Sequence, residues 1–445
     1  MTAVPLLGHA SLDAIVAWRP DGPVSVRQFL ADVHALRPLL PPGRHLLNVC
    51  QDRYHFAVGF AAGLLDGRIS LQPAAQSATT LRDIRSQSPD LCCLCDGPFA
   101  SLDLPRLDYP AQLAGDPAAI QAIPAIAAEH VAARLFTSGS TGAPMPHDKT
   151  WGKLVRNGRV EAERLGLAGR PHVIVGTVPV QHSYGFESTL LMALHGSAFW
   201  SGKPFYPQDI VTALAAVPLP RLLVTTPFHL SSLLAAEIPL PPVDLLLSAT
   251  APLSAELATR AEQRFTAPLL EIFGSTESSQ IASRRPSDGP AWQLFPDVRL
   301  RQDGEWTTVS GGHVEGEVTL SDLIEILPGD RFVLHGRHAD LVNIAGKRTS
   351  LAYLNHQVMA IPGVVDAAFF LPEETADGIT RLCAFVVAPG LDARQFQAAL
   401  RERIDAIFLP RPLVFVDRLP RNSTGKLPRT DLLALYTDKV ADGRP

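Results

Sequence analysis

Short apolar runs alternate with helically spaced apolar positions along much of the chain. The stretch LLLSATAPLSAELATRAEQRFTAPLLEIFGSTE, residues 245–277, shows this most clearly. Four consecutive buried-type residues predict a strand over Leu245–Ser248. Ser254 is placed to cap a helix over Ala255–Phe265, and Leu269–Phe273 reads as the next strand. This is a βαβ unit, and it delivers the polar turn Gly274-Ser275-Thr276-Glu277 at a strand's carboxyl end, where open α/β sheets bind ligands. VIVGTVPVQHSYGF repeats the arrangement: an apolar strand ends near Pro179 and leads to Gln181, His182, Ser183 and Tyr184. The pattern predicts an α/β protein. No internal repeat or low-complexity tract interrupts it.

Composition narrows the picture. A chain of 445 residues with 46% apolar content is long enough for two or three domains and a substantial core. Net charge is −5 and no polybasic run exists, which argues against nucleic acid and anionic membrane as partners. The longest clean apolar stretch, Phe56 to Leu65, falls well short of the ~18 residues that would span a bilayer. The N-terminal MTAVPLLGHASLDAIVAW lacks the basic region of a signal peptide, so a cytoplasmic location without membrane insertion is expected. Cys92, Cys93 and Cys95 sit in the strand-like run DLCCLCD without a second pair at zinc spacing, and are read as buried structural thiols.

Candidate chemistry begins at RLFTSGSTGAPMPHDKTW. Backbone amides freed by Gly139 and Gly142, with the hydroxyls of Thr137, Ser138, Ser140 and Thr141, suit an anion. A Walker-type loop would place lysine directly after Gly142, and here Ala143, Pro144 and Met145 follow. Taken singly, TSGSTG is a common turn composition and Glu277 could equally start a helix. The order changes this: TSGSTG at 137, HSYG at 182, SATAPL at 248, FGSTE at 273, GR at 336, AGKR at 345 and PRNSTGK at 420. Over nearly the whole chain that series resembles the adenylate-forming superfamily of acyl-CoA and aryl-CoA synthetases, nonribosomal-peptide adenylation domains and luciferases.

The resemblance implies a large N-terminal domain of α/β sheets with a distorted barrel, residues 1–337, and a small mobile α+β domain, residues 338–445. It implies an enzyme that joins a carboxylate to the α-phosphate of ATP, with Mg2+, and passes the acyl group from AMP to a thiol. Such nucleotidyl transfer needs charge neutralisation and alignment more than covalent help. By resemblance, the 137–142 loop holds pyrophosphate, Glu277 is the magnesium ligand, and Thr276 bonds the α-phosphate. Phe273, Gly274, Thr250, Ala251 and Pro252 border the nucleotide, with Ala249 and Thr250 standing where the family has glycines. The ribose carboxylate lies about fifteen residues before the arginine of GR. Asp322 stands at that distance from Arg337, and Asp330 only seven away, so Asp322 is chosen and Asp330 is read as a hairpin-turn residue. Arg337 suits ribose and phosphate contact. Ala339 and Asp340 occupy the hinge, Arg348 locks one domain arrangement, and Gly346 lets the loop approach the thiol's pantetheine arm.

Lys426, in RNSTGKLPR, matches the family's adenylation lysine and supplies the charge missing from the loop. Lys149 or Lys153 could add a second charge over the triphosphate, or KTW could start a helix whose lysines face water. The substitution at Met145, the HDKTW segment and the compact length resemble the small ligases of aryl-polyene, xanthomonadin-type pigment clusters, which load an aromatic acid onto an acyl carrier protein. His182, Tyr184, Phe186, Phe228 and Ser278 are candidate liners of the acid pocket, with plain core packing the alternative for each. The preferred acid is 4-hydroxybenzoate and the preferred acceptor a holo-acyl carrier protein. Free coenzyme A is the alternative acceptor, and a non-catalytic carrier-binding protein the alternative class.

Overall fold

The computed structural model describes residues 2–73, 76–99, 102–138, 144–337, 341–344, 347–372, 382–422 and 427–441, with backbone alone at 138, 337, 341, 343, 347, 348 and 441. The chain divides by contacts into two compact units, Met1–Leu300 with Val309–Val318, and Arg301–Thr308 with Thr319–Pro445. By contacts the division falls after Val318, whereas the resemblance implies a domain boundary at residue 337.

In the first unit, a run of parallel strands is ordered Leu269–Ser275, Leu245–Ser248, Arg221–Thr225, Val173–Gly176, Ala198–Trp200 and Ile15–Arg19. Antiparallel strands flank it on both sides, Ser279–Arg284 and Trp292–Leu294 at one edge and Gly22–Ser25 at the other. The βαβ unit read from sequence forms as expected. Leu246 pairs with Leu269, the Ser254 hydroxyl accepts from Leu257 N at 3.1 Å, and Ala258, Ala261 and Phe265 of the helix Ala255–Phe265 pack on the sheet. The last strand runs two residues beyond Phe273, to Ser275. The strand Val173–Gly176 stops three residues short of Pro179.

A second sheet in this unit has six strands among the described residues, in the order Pro144–Thr150, Val131–Ser138, Ile69–Pro73, His45–Asn48, Leu91–Cys95 and Arg106–Asp108. The three cysteines of DLCCLCD lie buried in the Leu91–Cys95 strand, and all five thiols of the chain are free. The apolar Phe56–Leu65 stretch belongs to the helix Arg53–Leu65, which is buried nearly all round, as its lack of a polar face requires. Asp52 caps it by accepting from Tyr54 N and His55 N. At its first turn Arg53, only 1% exposed, donates to the carbonyls of Gly176 at 2.7 Å, Val178 at 3.0 Å and Gly202. These carbonyls belong to segments leaving the parallel sheet, so a buried guanidinium ties the helix of one sheet to the strand ends of the other. No helix among the described residues is long and apolar enough to cross a membrane.

The second unit contains the hairpin Asp322–Leu327 with Arg331–Arg337, the strand pair Leu341–Ile344 and Lys347–Ser350, and a sheet with Cys383–Val387 between Asp366–Phe370 and Leu413–Phe415. Helices Leu351–Met359 and Ala393–Arg401 contribute Leu354, Val358, Phe396 and Leu400 to one core of this α+β unit.

Replacing Arg53 with methionine keeps the chain length but removes every donor to those carbonyls. Arg53→Met should cost roughly 3 kcal/mol or more of unfolding free energy, because buried carbonyls are left unpaired. Denaturant midpoints measure this, and an unchanged midpoint would show that the carbonyls find other donors.

Candidate active site

Four neighbouring parallel strands place the predicted site residues past their carboxyl ends. Val173–Gly176 leads to His182, Arg221–Thr225 to Phe228, Leu245–Ser248 to Thr250–Pro252, and Leu269–Ser275 to Thr276 and Glu277. This is the crevice position expected of an open α/β sheet. The last two segments are also joined directly: buried Glu271 accepts from Leu253 N at 3.1 Å and from Arg284 at 2.7 Å. Phe273 lies 5.6 Å, ring to ring, from Trp292.

Local geometry explains two motif residues. A Cβ on Gly274 would collide with the Ser279 carbonyl, because the strand turns back on itself over Thr276–Ser278. Thr250 stands at φ +81°, a left-handed conformation that is strained for a β-branched side chain, in the position where the resemblance called for glycine. In the turn itself the Ser278 hydroxyl donates to Ser279 O at 2.8 Å and lies 3.2 Å from Ser275 N, whose donor it accepts. Glu277 projects from this braced turn with 37% of its side chain exposed.

The carboxylate fits a hard cation. Glu277 would hold Mg2+, which would supply positive charge to phosphate oxygens; among the described residues no three His, Cys, Asp or Glu side chains converge to hold a metal.

The segment expected to hold phosphate connects a hairpin, Val131–Ser138 with Pro144–Thr150, whose last described pair is Ser138 and Pro144. Gly139, Ser140, Thr141 and Gly142 lie outside the described residues, as do Ala339, Asp340, Gly346 and Lys426, and Arg348 is described in its backbone alone. Thr137 Oγ1 stands 2.9 Å from His147 Nε2, and His147 is itself 4.0 Å from the Glu277 carboxylate. Burial holds the His147 imidazole below its usual pKa.

Lys149 does not face water, one of the two courses read for it from sequence. It is 2% exposed, and its Nζ donates to the backbone carbonyl of Glu277 at 2.8 Å. The physical reason is strand parity. Positions 147 and 149 share one face, from which His147 lies 4.0 Å from the Glu277 carboxylate and Lys149 reaches the Glu277 carbonyl. Burial lowers the Lys149 pKa, while Glu187, Glu315 and Glu277 oppose the shift. Lys153 is also occupied, donating to Gly312 O at 2.8 Å, and the helix Trp151–Arg164 does begin at the KTW tryptophan.

The five acid-pocket candidates separate. Phe186 is fully buried with its ring 5.2 Å from Phe60, so it is core packing. Tyr184 is 5% exposed and its hydroxyl donates to Leu247 O at 3.0 Å, and Ser278 is committed to its own turn. His182 is half-buried, its Nδ1 accepting from Tyr184 N, and Phe228 is exposed beside Phe205 and His229. Sequence reasoning missed the polar interior behind these residues. Glu161 and Glu187, on the helix Trp151–Arg164 and the π-helical turn Phe186–Leu191, are buried beside Gln280 and Ser188, and burial pushes the Glu161 carboxyl up to about 8. The helical spacing of Asn157 and Glu161 with the apolar Leu154 and Val155 was its only signal.

In the second unit, Asp322 pairs directly with Arg337 across the hairpin, while Asp330 is exposed in its turn at φ +55°. Gly336 of GR sits at φ +113°, where a Cβ would stand 2.8 Å from Ser350 Oγ.

The family model for AMP-binding enzymes matches residues 43–320, and that for the AMP-binding enzyme C-terminal domain matches 355–426. A 4-coumarate–CoA ligase of Rhodobacter capsulatus is 31% identical over 297 residues, 65% of this chain and 73% of the relative. A 3-hydroxybenzoate–CoA/4-hydroxybenzoate–CoA ligase of Thauera aromatica is 25% identical over 346 residues, 68% of this chain and 66% of that one. The solved o-succinylbenzoate CoA synthetase of Bacillus subtilis, in complex with its acyl-adenylate intermediate, shares the fold with a TM-score of 0.82 at 18% identity, covering 97% of this chain and 98% of that one.

Thr250→Gly removes the side chain from a left-handed backbone and should raise stability by up to ~1 kcal/mol. Thr226→Gly, at φ −131° and serving as a helix cap, should lower it. Unfolding curves of the two variants check the contrast. A loss in Thr250→Gly would mean that its side-chain contacts outweigh the strain.

Proposed function

This chain belongs to the AMP-binding enzyme family, and on that premise we propose that it activates an aromatic carboxylic acid, 4-hydroxybenzoate by preference, and passes it to the phosphopantetheine thiol of an acyl carrier protein. The coarser activity follows from membership: it is an AMP-forming acid–thiol ligase that adenylates a carboxylic acid with ATP and Mg2+. The observation that carries the proposal is that His182 and Phe228 follow the carboxyl ends of strands in the same parallel run that leads to Thr276 and Glu277. An imidazole and an exposed ring beside the nucleotide motifs suit a flat acid. The names of relatives that act on coumarate and hydroxybenzoates support the same class. Transfer to free coenzyme A is the second reading, favoured by what those relatives are named for.

In the proposed division of labour, Glu277 holds Mg2+, which supplies positive charge to the phosphates. Thr276 and the 137–142 loop donate hydrogen bonds to phosphate oxygens, and Thr250, Ala251, Pro252, Phe273 and Gly274 border the adenine. Asp322 accepts from the ribose hydroxyls and Arg337 donates to ribose and phosphate. Lys426 meets the charge developing between carboxylate and α-phosphate. Ala339, Asp340, Gly346 and Arg348 serve the hinge and thiol tunnel, and the product enters aryl-polyene pigment formation.

Pyrophosphate exchange over benzoates, cinnamates and fatty acids, followed by separate offers of coenzyme A and holo-carrier protein, tests the reading. Strongest exchange with 4-hydroxybenzoate and transfer to the carrier support it. Strongest exchange with a fatty acid would overturn the acid class, and transfer to coenzyme A alone would overturn the acceptor. Lys426→Ala should lower exchange by ~10²-fold or more while thiolation from preformed acyl-AMP survives. An equal loss in both half-reactions would refute that division. Asp322→Ala should raise the KM for ATP far more than Asp330→Ala, and the reverse ranking would remove Asp322 from the ribose.

A further inference from the structure

Lys149 places a charge where solvent scarcely reaches, and among the described residues its Nζ has one hydrogen-bond partner, the Glu277 carbonyl. Glu187 and Glu315 favour its charged form from farther away, and Glu315 is itself engaged by Thr150 N at 2.8 Å and Thr150 Oγ1 at 2.7 Å. A buried ammonium spent on a backbone carbonyl is costly unless that carbonyl has to be held. The carbonyl in question belongs to the turn between Leu269–Ser275 and Ser279–Arg284. Holding it inward fixes the peptide at Glu277 and leaves the carboxylate projecting outward, 37% exposed.

The same strand reaches the phosphate loop. Two residues before Lys149 and on the same face, His147 stands within hydrogen-bonding distance of Thr137, the first residue of that loop, and 4.0 Å from the Glu277 carboxylate. Strand Pro144–Thr150 therefore grips the loop at one end and the Glu277 turn at the other.

We propose that Lys149 is a positioning residue for the divalent cation: its bond to the Glu277 carbonyl orients the Glu277 carboxylate toward the cation that accompanies ATP. This rests on the reading of Glu277 as the cation's ligand. Lys149 does not touch phosphate. Its influence passes through one peptide group, as supporting residues around a metal ligand act elsewhere.

Calorimetric titration of ATP, with saturating Mg2+ and again in EDTA, measures how much the cation strengthens nucleotide binding without requiring turnover. Lys149→Met should reduce that Mg2+-dependent gain by about tenfold or more, leaving affinity in EDTA and for a non-hydrolysable acyl-adenylate analogue little changed, since neither involves the cation. Lys149→Arg, which keeps a charged donor, should recover most of the gain. Lys149→Leu, which also lacks a donor, replaces the methionine variant if that one does not fold. Glu277→Gln separates the premise from the inference. If it retains the gain, the assignment of Glu277 is wrong and the inference falls with it. If Glu277→Gln loses the gain and Lys149→Met keeps it, only the positioning role is overturned. Equal weakening of all three affinities in Lys149→Met would make the residue merely structural and would also overturn the proposal.

Discussion

Backbone carbonyls that leave a parallel sheet at its carboxyl end have no ladder partner, yet they are the groups nearest the site. In the first unit, side-chain donors take the place of the missing strand. Arg53 serves Gly176, Val178 and Gly202 at and past such strand ends, and Lys149 serves Glu277. Elsewhere in the unit Lys153 serves Gly312, and Arg164 serves Leu294 of an antiparallel strand at 2.6 Å. An unpaired buried carbonyl costs about as much as a lost hydrogen bond. Arg53 and Lys149 therefore fix the segments that leave the parallel strands. The irregular segments can then carry chemistry without being loose.

That rigidity suits what adenylation demands. Charge has to be met by groups already in place, because reorganising them during the reaction would forfeit much of their effect. The Glu277 turn is held from beneath by Lys149 and from within by Ser275 and Ser278. The SATAP segment is joined to the neighbouring strand through Glu271 and Leu253, and it holds Thr250 in a conformation that an isolated peptide would avoid. Behind both lies a polar interior of Glu161, Glu187, Ser188 and Gln280, whose burial favours neutral carboxyls over charged ones.

The sequence by itself determined the elements and their order. Three leucines before SATAP, a serine cap and an amphipathic helix define the βαβ unit without outside help, since these signals are local and set by backbone and capping chemistry. Asp330 likewise sits in the hairpin turn read for it, and that hairpin sets Asp322 opposite Arg337 in register. Tertiary structure alone decided where long side chains end. Lys149 lies in a polar stretch and reads as a phosphate contact or as facing water; only the packing shows its Nζ on the Glu277 carbonyl, 128 residues away in sequence. Phe186 follows the HSYG motif directly, yet points to Phe60 in the core. Periodicity reports which residues share a face. Which neighbour covers that face depends on packing between distant segments, and that packing decides whether a charge meets water, a ligand or a carbonyl.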